Sequence, residues 1–254
     1  MINTTSVSIS KIKAYKACKR LYWLRYIQHL KPIQKSEALQ TGSNYHKLLE
    51  ILNKTGELPE CDFSKEYAMA TAYKKYIYPH FRVVEAEKWI TSDDMNLVGI
   101  VDGIADDGHI VEHKSTSMEI TEQYEYNLMW DEQILAYMFL TGSRKVWYTV
   151  CRKPTIRQKK SESDEEFYDR MVQWYDTDTE SKIRLLEISR TDKEVEEFKD
   201  SLNRIICDME RCKEPMDFYR NTCHCNAWGK RCEYSSICLD NVTNQSEYIE
   251  FTRD

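Results

Sequence analysis

The chain has 254 residues, of which 41% are hydrophobic and 31% charged, and its formal net charge is -6. It contains no apolar run near the roughly 18 residues that a membrane-spanning helix needs, so we expect no membrane partner. The negative charge excludes a strongly cationic coat for nucleic acid, although a local basic track would still allow DNA binding. The first residues lack the pattern of a secretory signal, and we therefore expect a cytoplasmic protein.

The hydrophobic periodicity predicts helices and strands in mixed order, which implies an α/β fold. The predicted helices cover about 8–28, 41–52, 64–81, 122–140, 163–175 and 192–212. Ser8 or Ser10 is the expected N-cap of the first, and the helix over 122–140 is expected to end at Gly142. The predicted strands cover about 83–91, 96–105, 109–114, 145–151 and 183–189. Because no repeat or low-complexity linker interrupts the chain, we predict a single domain over 1–254. Its parts are a helical segment (about 8–81), a core (about 82–190) and a C-terminal helix with a cysteine loop (about 191–240).

Three charged residues interrupt two neighbouring apolar strands. Asp102 lies in the strand 96–105, and Glu112 and Lys114 lie two apart on the next strand, so that their side chains share one face. Burying such charges without compensation is costly, which favours a divalent cation between the carboxylates. Mg²⁺ or Mn²⁺ held by Asp102 and Glu112, with the backbone carbonyl of His113 as a further candidate ligand, would activate a water molecule against a phosphodiester. Lys114 would orient that water or stabilise charge on the phosphate.

This arrangement resembles the PD-(D/E)XK nuclease superfamily, and within it the RecB-type exonuclease branch. In that branch a strand aspartate precedes a hairpin that carries (D/E)-x-K, which in this chain are Asp102 and the segment Glu112-His113-Lys114. The resemblance implies a restriction-endonuclease-like core, in which helices flank a central mixed sheet. It also implies that this core carries the catalytic residues.

Two helical motifs and one strand add to the resemblance. Gly42 to His46 fits the G-x-x-x-H helix of this branch, whose histidine is similar to an additional metal ligand. Gln133 and Tyr137 fit its Q-x-x-x-Y helix, and their spacing places both on one helical face, within reach of the substrate phosphate or the catalytic lysine. Glu85 or Glu87 would lie near the site on the preceding strand. A histidine packed in the core and a Gln–Tyr pair that only packs stay open as alternatives.

Nine cysteines in a reducing compartment are better read as metal ligands or packed thiols than as disulfides. Four of them lie close together near the C-terminus, at Cys223, Cys225, Cys232 and Cys238. These four thiolates could bind zinc, with His224 in place of one of them. Apart from Cys18, four cysteines lie outside this segment, and we predict that they are packed or surface thiols: Cys61, Cys151, Cys207 and Cys212.

The resemblance offers a second interpretation of the cysteines. RecB-type members with an iron-sulphur cluster, which include the CRISPR adaptation nucleases and the bacterial AddB nuclease domain, take one cysteine upstream of the core and three downstream. This pattern implies a structural 4Fe-4S cluster on Cys18, Cys225, Cys232 and Cys238, which would join the N-terminal helix to the C-terminal loop. Cys225 is preferred to Cys223 because the segment that begins there resembles phage-type members, although its gap to Cys232 is longer than usual.

The resemblance therefore implies a metal-dependent deoxyribonuclease, expected to be an exonuclease on DNA that is single-stranded or has ends. Recombination or repair proteins are its expected partners. The basic runs 11–25 and 152–160 are candidate DNA tracks or solvated surfaces. Two rival hypotheses stay open: an inactive nuclease fold that binds DNA or protein, and a zinc-stabilised protein unrelated to nucleases.

Overall fold

The computed structural model describes residues 6–33, 37–92, 94–229, 231–240 and 248–250. The chain divides into two compact units. Unit 1 consists of Met1–Ser36, Ser92–Val98 and Lys199–Asp254, and unit 2 consists of Glu37–Thr91 and Gly99–Phe198. The single domain over 1–254 stays a prediction. Within the described residues, no helix combines the length and the apolar character that crossing a membrane requires.

Helices and strands follow one another in mixed order along the chain. The helices are α1 (Ile9–Ala17), α2 (Lys19–Tyr22), α3 (Glu37–Thr55), α4 (Lys65–Tyr76), α5 (Glu122–Leu128), α6 (Glu132–Thr141), α7 (Asp164–Asp176), α8 (Asp192–Arg211) and α9 (Ser235–Asp240). The strands are β1 (Val7–Ser8), β2 (Leu30–Pro32), β3 (Val83–Ser92), β4 (Leu97–Ala105), β5 (Ile110–Thr116), β6 (Lys145–Arg152), β7 (Ile183–Ser189) and β8 (Tyr248–Glu250). The α/β class predicted from the sequence is confirmed.

A mixed sheet forms the centre of unit 2. β3 pairs with β4, β4 is antiparallel to β5, β5 is parallel to β6, and β6 is antiparallel to β7. The register of β5 and β6 sets Glu112 opposite Tyr148 and Lys114 opposite Val150. The side chains of Glu112 and Lys114 therefore emerge on the same face, as their spacing predicts.

Helices cover both faces of this sheet. On one face, α3, α4 and α7 pack on a core that includes Leu49, Met69, Val111, Cys151 and Tyr175. On the other face, α5 and α6 pack on a second core, which includes Leu128, Ile134, Met138, Ile110 and Tyr148. Strand residues of opposite parity enter the two cores because successive side chains alternate across a strand. The predicted central mixed sheet flanked by helices is confirmed.

The helix predicted over 8–28 is wrong in its continuity. Of the two candidate caps, Ser8 is the one that caps α1, since its hydroxyl accepts a hydrogen bond from Lys11 N. The helix then stops at Cys18. Cys18 has extended backbone angles (φ -164°, ψ 116°), and a short α2 and a π-helical turn follow it. Asn221 accounts for the break, because its side chain donates to Ala17 O at 2.8 Å and its backbone N–H to Cys18 Sγ at 3.3 Å.

Three other predicted helices differ in their bounds. The helix expected over 64–81 ends at Tyr76, and a 3-10 turn over Tyr78–His80 follows it. The helix expected over 122–140 is divided into α5 and α6, because the carboxylate of Asp131 accepts a hydrogen bond from Gln133 N and begins a new helix there. α6 ends at Gly142 in the left-handed conformation (φ 79°), as predicted. The helix expected from about 41 begins earlier, at Glu37.

Unit 1 contains pairings that local patterns could not predict. β1 runs parallel to the start of β4, with Val7 opposite Leu97. β2 is antiparallel to β8, with Lys31 opposite Ile249. The strands β1, β2 and β8 have only two or three residues each, too few for a period-2 pattern to stand out.

Candidate active site

The candidate site residues predicted from the sequence lie on neighbouring elements of unit 2. β4 carries Asp102, β5 carries Glu112 and Lys114, α6 carries Gln133 and Tyr137, and α3 carries His46. Two hydrogen-bonded groups form there. One group joins β5 to α6, and the other joins β4 to α3.

The first group is centred on Gln133. Its amide nitrogen donates to Glu112 Oε1 at 3.0 Å and to Tyr137 Oη at 2.9 Å, and its amide oxygen accepts from Lys114 Nζ at 3.3 Å. Lys114 Nζ also pairs directly with Glu112 Oε1. The glutamine therefore holds the lysine and the glutamate together from the neighbouring helix.

Glu112 is unusual because its charge is buried. The residue is 2% exposed, and its second carboxylate oxygen, Oε2, is buried and has no hydrogen-bond partner. Burial and the negative charge of Asp102 raise the pKa of Glu112 to about 7, although Lys114 opposes this shift. Burial lowers the pKa of Lys114, but the carboxylates of Glu112, Asp102 and Asp131 together raise it above its usual value. The site therefore holds an under-compensated negative charge.

The second group is centred on Asp102. Its Oδ1 lies 3.3 Å from His46 Nδ1, and its Oδ2 accepts a hydrogen bond from the backbone N–H of His113 at 2.7 Å. Burial would raise the pKa of Asp102, but its contacts with His46 and His113 lower it, so the carboxylate stays charged. Burial likewise opposes protonation of His46, but Asp102 raises the pKa of that imidazole.

The imidazole of His113 belongs to the core. It is 2% exposed, its Nδ1 forms a hydrogen bond with Thr149 Oγ1 at 2.7 Å, and its Nε2 lies 3.4 Å from Asn53 Nδ2. Burial lowers the pKa of His113 to about 4, which keeps the ring neutral at physiological pH. Thr149 and Asn53 had no signal in the sequence, because each comes from a different element that only folding brings to His113.

Two glycines allow the helices to approach the strands of the site. A Cβ on Gly42 would lie 3.2 Å from Ser115 Oγ, so the α3 turn that leads to His46 packs tightly on β5. A Cβ on Gly99 would lie 3.1 Å from a ring carbon of Tyr137, so β4 is close to α6. The glycine of the G-x-x-x-H motif thus has a packing reason independent of any ligand.

An open groove runs beside Asp102 and His46. Glu87, Lys47 and Lys153 are among the residues that line it. Glu87 has a left-handed backbone (φ 51°) within β3, which is rare for a residue with a side chain. Burial and the charge of Asp102 raise the pKa of Glu87, whereas Glu85 lies outside the groove lining and its carboxylate is 2.9 Å from Lys88 Nζ.

Cys18 from the N-terminal stretch packs in one apolar cluster of unit 1 with Cys232 and Cys238 from the C-terminal stretch. The backbone N–H of Cys232 donates to Cys225 O at 2.9 Å. Burial raises the pKa of the Cys232 thiol, and the nearby Cys225 and Cys18 thiols add to this shift. Burial also raises the pKa of Cys238, and Cys232 and Cys18 act on it in the same direction. Cys223, by contrast, is exposed.

The other cysteines are separate thiols. Cys151 and Cys212 are buried, Cys61 is half-buried and Cys207 is exposed. They are packed or surface thiols, as predicted.

The family model of the PD-(D/E)XK nuclease superfamily matches residues 6–75 and 63–239 of this chain. The chain belongs to the PD-(D/E)XK nuclease superfamily. No curated protein matches it. The match to the family model covers β4 and β5, the strands that carry Asp102, Glu112 and Lys114. The superfamily expected from these residues is therefore confirmed.

Solved structures with detectable similarity include exonucleases. An alkaline exonuclease (LHK-Exo) from Laribacter hongkongensis is 15% identical, with 81% of this chain and 88% of that chain covered and a TM-score of 0.39. A phage related exonuclease from Haemophilus somnus 129PT is 13% identical, with 70% and 89% covered and a TM-score of 0.38. LHK-Exo in complex with dAMP is 14% identical, with 81% and 88% covered and a TM-score of 0.38. These TM-scores are low, and membership in the superfamily rests on the family model.

PD-(D/E)XK nucleases typically use Mg²⁺ or Mn²⁺, and the acidic residues of this chain fit such an ion by their chemistry. Across the described residues, no three His, Cys, Asp or Glu side chains are grouped closely enough to hold a metal as they stand. The buried Oε2 of Glu112, which has no partner, nevertheless requires a cation or a proton. Oxygen ligands are those that Mg²⁺ and Mn²⁺ prefer.

Proposed function

We propose that this chain is a metal-dependent DNA exonuclease that hydrolyses phosphodiester bonds. The observation that carries the proposal is the buried Glu112 carboxylate, which has one oxygen held by Lys114 and Gln133 and the other without a partner. A buried carboxylate oxygen without a partner, placed beside a second carboxylate, is typical of a site that binds a cation. DNA that is single-stranded or has ends is the substrate in this proposal.

Asp102 and Glu112 would hold Mg²⁺ or Mn²⁺, with His46 and the backbone carbonyl of His113 as further ligands. Such an ion, when bound, lowers the pKa of a water ligand and polarises the phosphate. Asp102 is suited to this role because its contacts with His46 and His113 N keep it ionised despite burial.

Lys114 would orient the attacking water and stabilise charge on the phosphate. Its ammonium group is charged at neutral pH, since the surrounding carboxylates raise its pKa. Gln133 and Tyr137 would act as positioning residues: Gln133 touches both Lys114 and Glu112, and Tyr137 fixes the amide of Gln133 through a hydrogen bond of 2.9 Å. The side chain of Lys114 is 28% exposed, which leaves it accessible to a substrate.

A structural 4Fe-4S cluster on Cys18, Cys225, Cys232 and Cys238 completes the proposal and would assign the chain to the RecB-type branch. Four thiols suit this group by their chemistry, and Cys18, Cys232 and Cys238 pack in one apolar cluster, which supports a common role for them. A backbone N–H already donates to Cys18 Sγ, a contact that would stabilise a thiolate. Recombination or repair proteins would be the partners of such an enzyme.

Cleavage of end-labelled single- and double-stranded DNA with Mg²⁺ or Mn²⁺ tests the proposal. We expect anaerobically purified wild-type protein to shorten the DNA from its ends and Glu112→Ala to be inactive. Glu85→Ala is the matched control, because Glu85 lies on the neighbouring β3 but is exposed and close to Lys88. Equal inactivity of wild type and Glu112→Ala, with DNA binding retained, would instead favour an inactive binding module.

A further inference from the structure

The last turn of α5 and the turn that joins it to α6, which together we call the aromatic turn, expose three large apolar side chains. Tyr126 is 52% exposed, Met129 56% and Trp130 68%. The rings of Tyr126 and Trp130 lie edge to face, with centroids 6.2 Å apart and planes at 72°. Adjacent exposed side chains of this size mark a binding surface more often than isolated ones do.

The backbone beneath these rings is held in place. Trp130 N donates to Asn127 O at 3.2 Å, and Asp131 N donates to Leu128 O at 3.1 Å. The guanidinium of Arg190 donates to Met129 O at 2.9 Å. Leu128, between the exposed residues, is anchored in the core. The rings are therefore presented by an ordered turn, which reduces the entropy lost when a ligand stacks on them.

The aromatic turn leads directly into the candidate active site. Trp130 precedes Asp131, whose carboxylate caps α6 by accepting from Gln133 N at 3.1 Å. Gln133 in turn contacts Lys114 and Glu112. One short segment thus connects the exposed indole to the groups proposed to act on the phosphate.

The charges of the segment favour an uncharged ligand. No lysine or arginine occurs between Lys114 and Arg144, whereas Asp131 and Glu132 adjoin Trp130 in the chain. Two arginines from elsewhere in the chain approach this segment, but Arg190 donates to the carbonyl of Met129 and Arg184 pairs with Glu125. The carboxylates beside Trp130 would therefore repel a phosphate, but not the flat face of a nucleobase. Aromatic side chains bind unpaired bases by stacking, largely without regard to sequence.

We infer that Trp130, assisted by Tyr126, is a stacking platform for an unpaired nucleobase of the DNA strand whose phosphate lies at Lys114. This inference rests on the proposed function and adds a specificity-determining contact to it. The platform would favour ends that are single-stranded or frayed, because a base inside a duplex has both faces covered by its stacked neighbours.

The test uses oligonucleotides of deoxythymidine that carry one abasic site at successive distances from the labelled end. Binding is measured by fluorescence anisotropy in EDTA, so that no cleavage occurs. We expect wild-type protein to lose affinity on the order of tenfold at one abasic position, the value of one base stack. Trp130→Ala should bind the intact strand about as weakly as the wild-type protein binds the strand with that abasic site. An abasic site at the same position should cause no further loss of affinity in this variant.

Trp89→Ala is the matched control, because Trp89 is 60% exposed on β3 and is not part of the turn. It should retain the wild-type profile, and Trp130→Phe should restore part of the loss because it keeps a ring. Quenching of tryptophan fluorescence by DNA should disappear in Trp130→Ala and persist in Trp89→Ala.

Two failures are distinguishable. Wild-type protein that neither binds nor cleaves DNA would overturn the proposed function and the platform together. Wild-type protein that cleaves DNA but gives a flat abasic profile, or a Trp130→Ala variant that keeps the position-specific loss, would overturn the platform alone. If the wild-type protein cleaves DNA but gives a flat abasic profile, the exposed rings would be assigned to a protein partner instead.

Discussion

Glu112 combines almost complete burial with contacts to a cation at only one of its oxygens. A buried carboxylate next to a second one is destabilising by itself, so the ammonium group of Lys114 is the principal compensation in the metal-free protein. The same residues are therefore expected to affect both stability and activity. That coupling can be measured independently of cleavage.

We predict that Lys114→Met lowers the free energy of unfolding in EDTA by about 2 kcal/mol, since it leaves the buried charge of Glu112 uncompensated. Adding Glu112→Gln should restore most of this loss, because the neutral amide needs no cation. Urea denaturation of the wild type, both single variants and the double variant gives the coupling energy. Strictly additive effects would contradict the assigned ion pair.

At the scale of elements, β3 and β4 approach each other so closely that a glycine is required between them. A Cβ on Gly103 would lie 2.7 Å from Val83 Cγ1 and 3.2 Å from the backbone oxygen of Glu85. Gly103 directly follows Asp102, so this packing also determines where the carboxylate of Asp102, the proposed metal ligand, lies on β4. The glycine has a steric reason rather than a conformational one, because its φ is not in the left-handed region.

Gly103→Ala should destabilise the protein by about 1–3 kcal/mol, the usual cost of forcing extra volume into a packed contact. Val83→Ala in the same chain should recover part of that loss by removing the nearer methyl group, while Val83→Ala alone should be destabilising. Thermal or urea unfolding of the three variants checks this compensation. If the double variant is less stable than Gly103→Ala alone, the contact with Val83 does not cause the loss of stability.

At the scale of the whole molecule, unit 1 is assembled from three distant stretches of the chain, which include both ends of the sequence. Cys18 comes from the first stretch, and Cys225, Cys232 and Cys238 come from the last. A cluster on these four thiols would close a very long loop and thereby remove freedom from the unfolded chain.

We predict that Cys18→Ser abolishes iron and sulphide binding and the broad visible absorbance of the purified protein, and makes unit 1 more sensitive to proteolysis. Cys223→Ser is the internal control: its thiol is exposed, so this variant should keep the iron and the absorbance. Metal analysis, absorbance and limited proteolysis of the two variants provide the measurement. Stoichiometric zinc in place of iron, or equal loss in both variants, would refute the assignment of the four ligands.

The amino-acid sequence by itself determined the features that depend on local pattern. Alternating apolar residues predicted the order of β3 to β7, and the spacing of Glu112 and Lys114 predicted their common face, because strand geometry repeats every two residues. The N-cap at Ser8 and the C-cap at Gly142 also depend on local sequence, since a capping residue bonds to backbone groups of its near neighbours in the chain.

Only the tertiary structure decided the features that depend on distant partners. The break at Cys18 follows from hydrogen bonds with Asn221, far along the chain, and the pairing of β2 with β8 has no local signal. The sequence likewise could not show that the ring of His113 is a neutral core group while His46 contacts Asp102. Burial and hydrogen bonding set the state of a histidine, and both arise only when separate elements pack together.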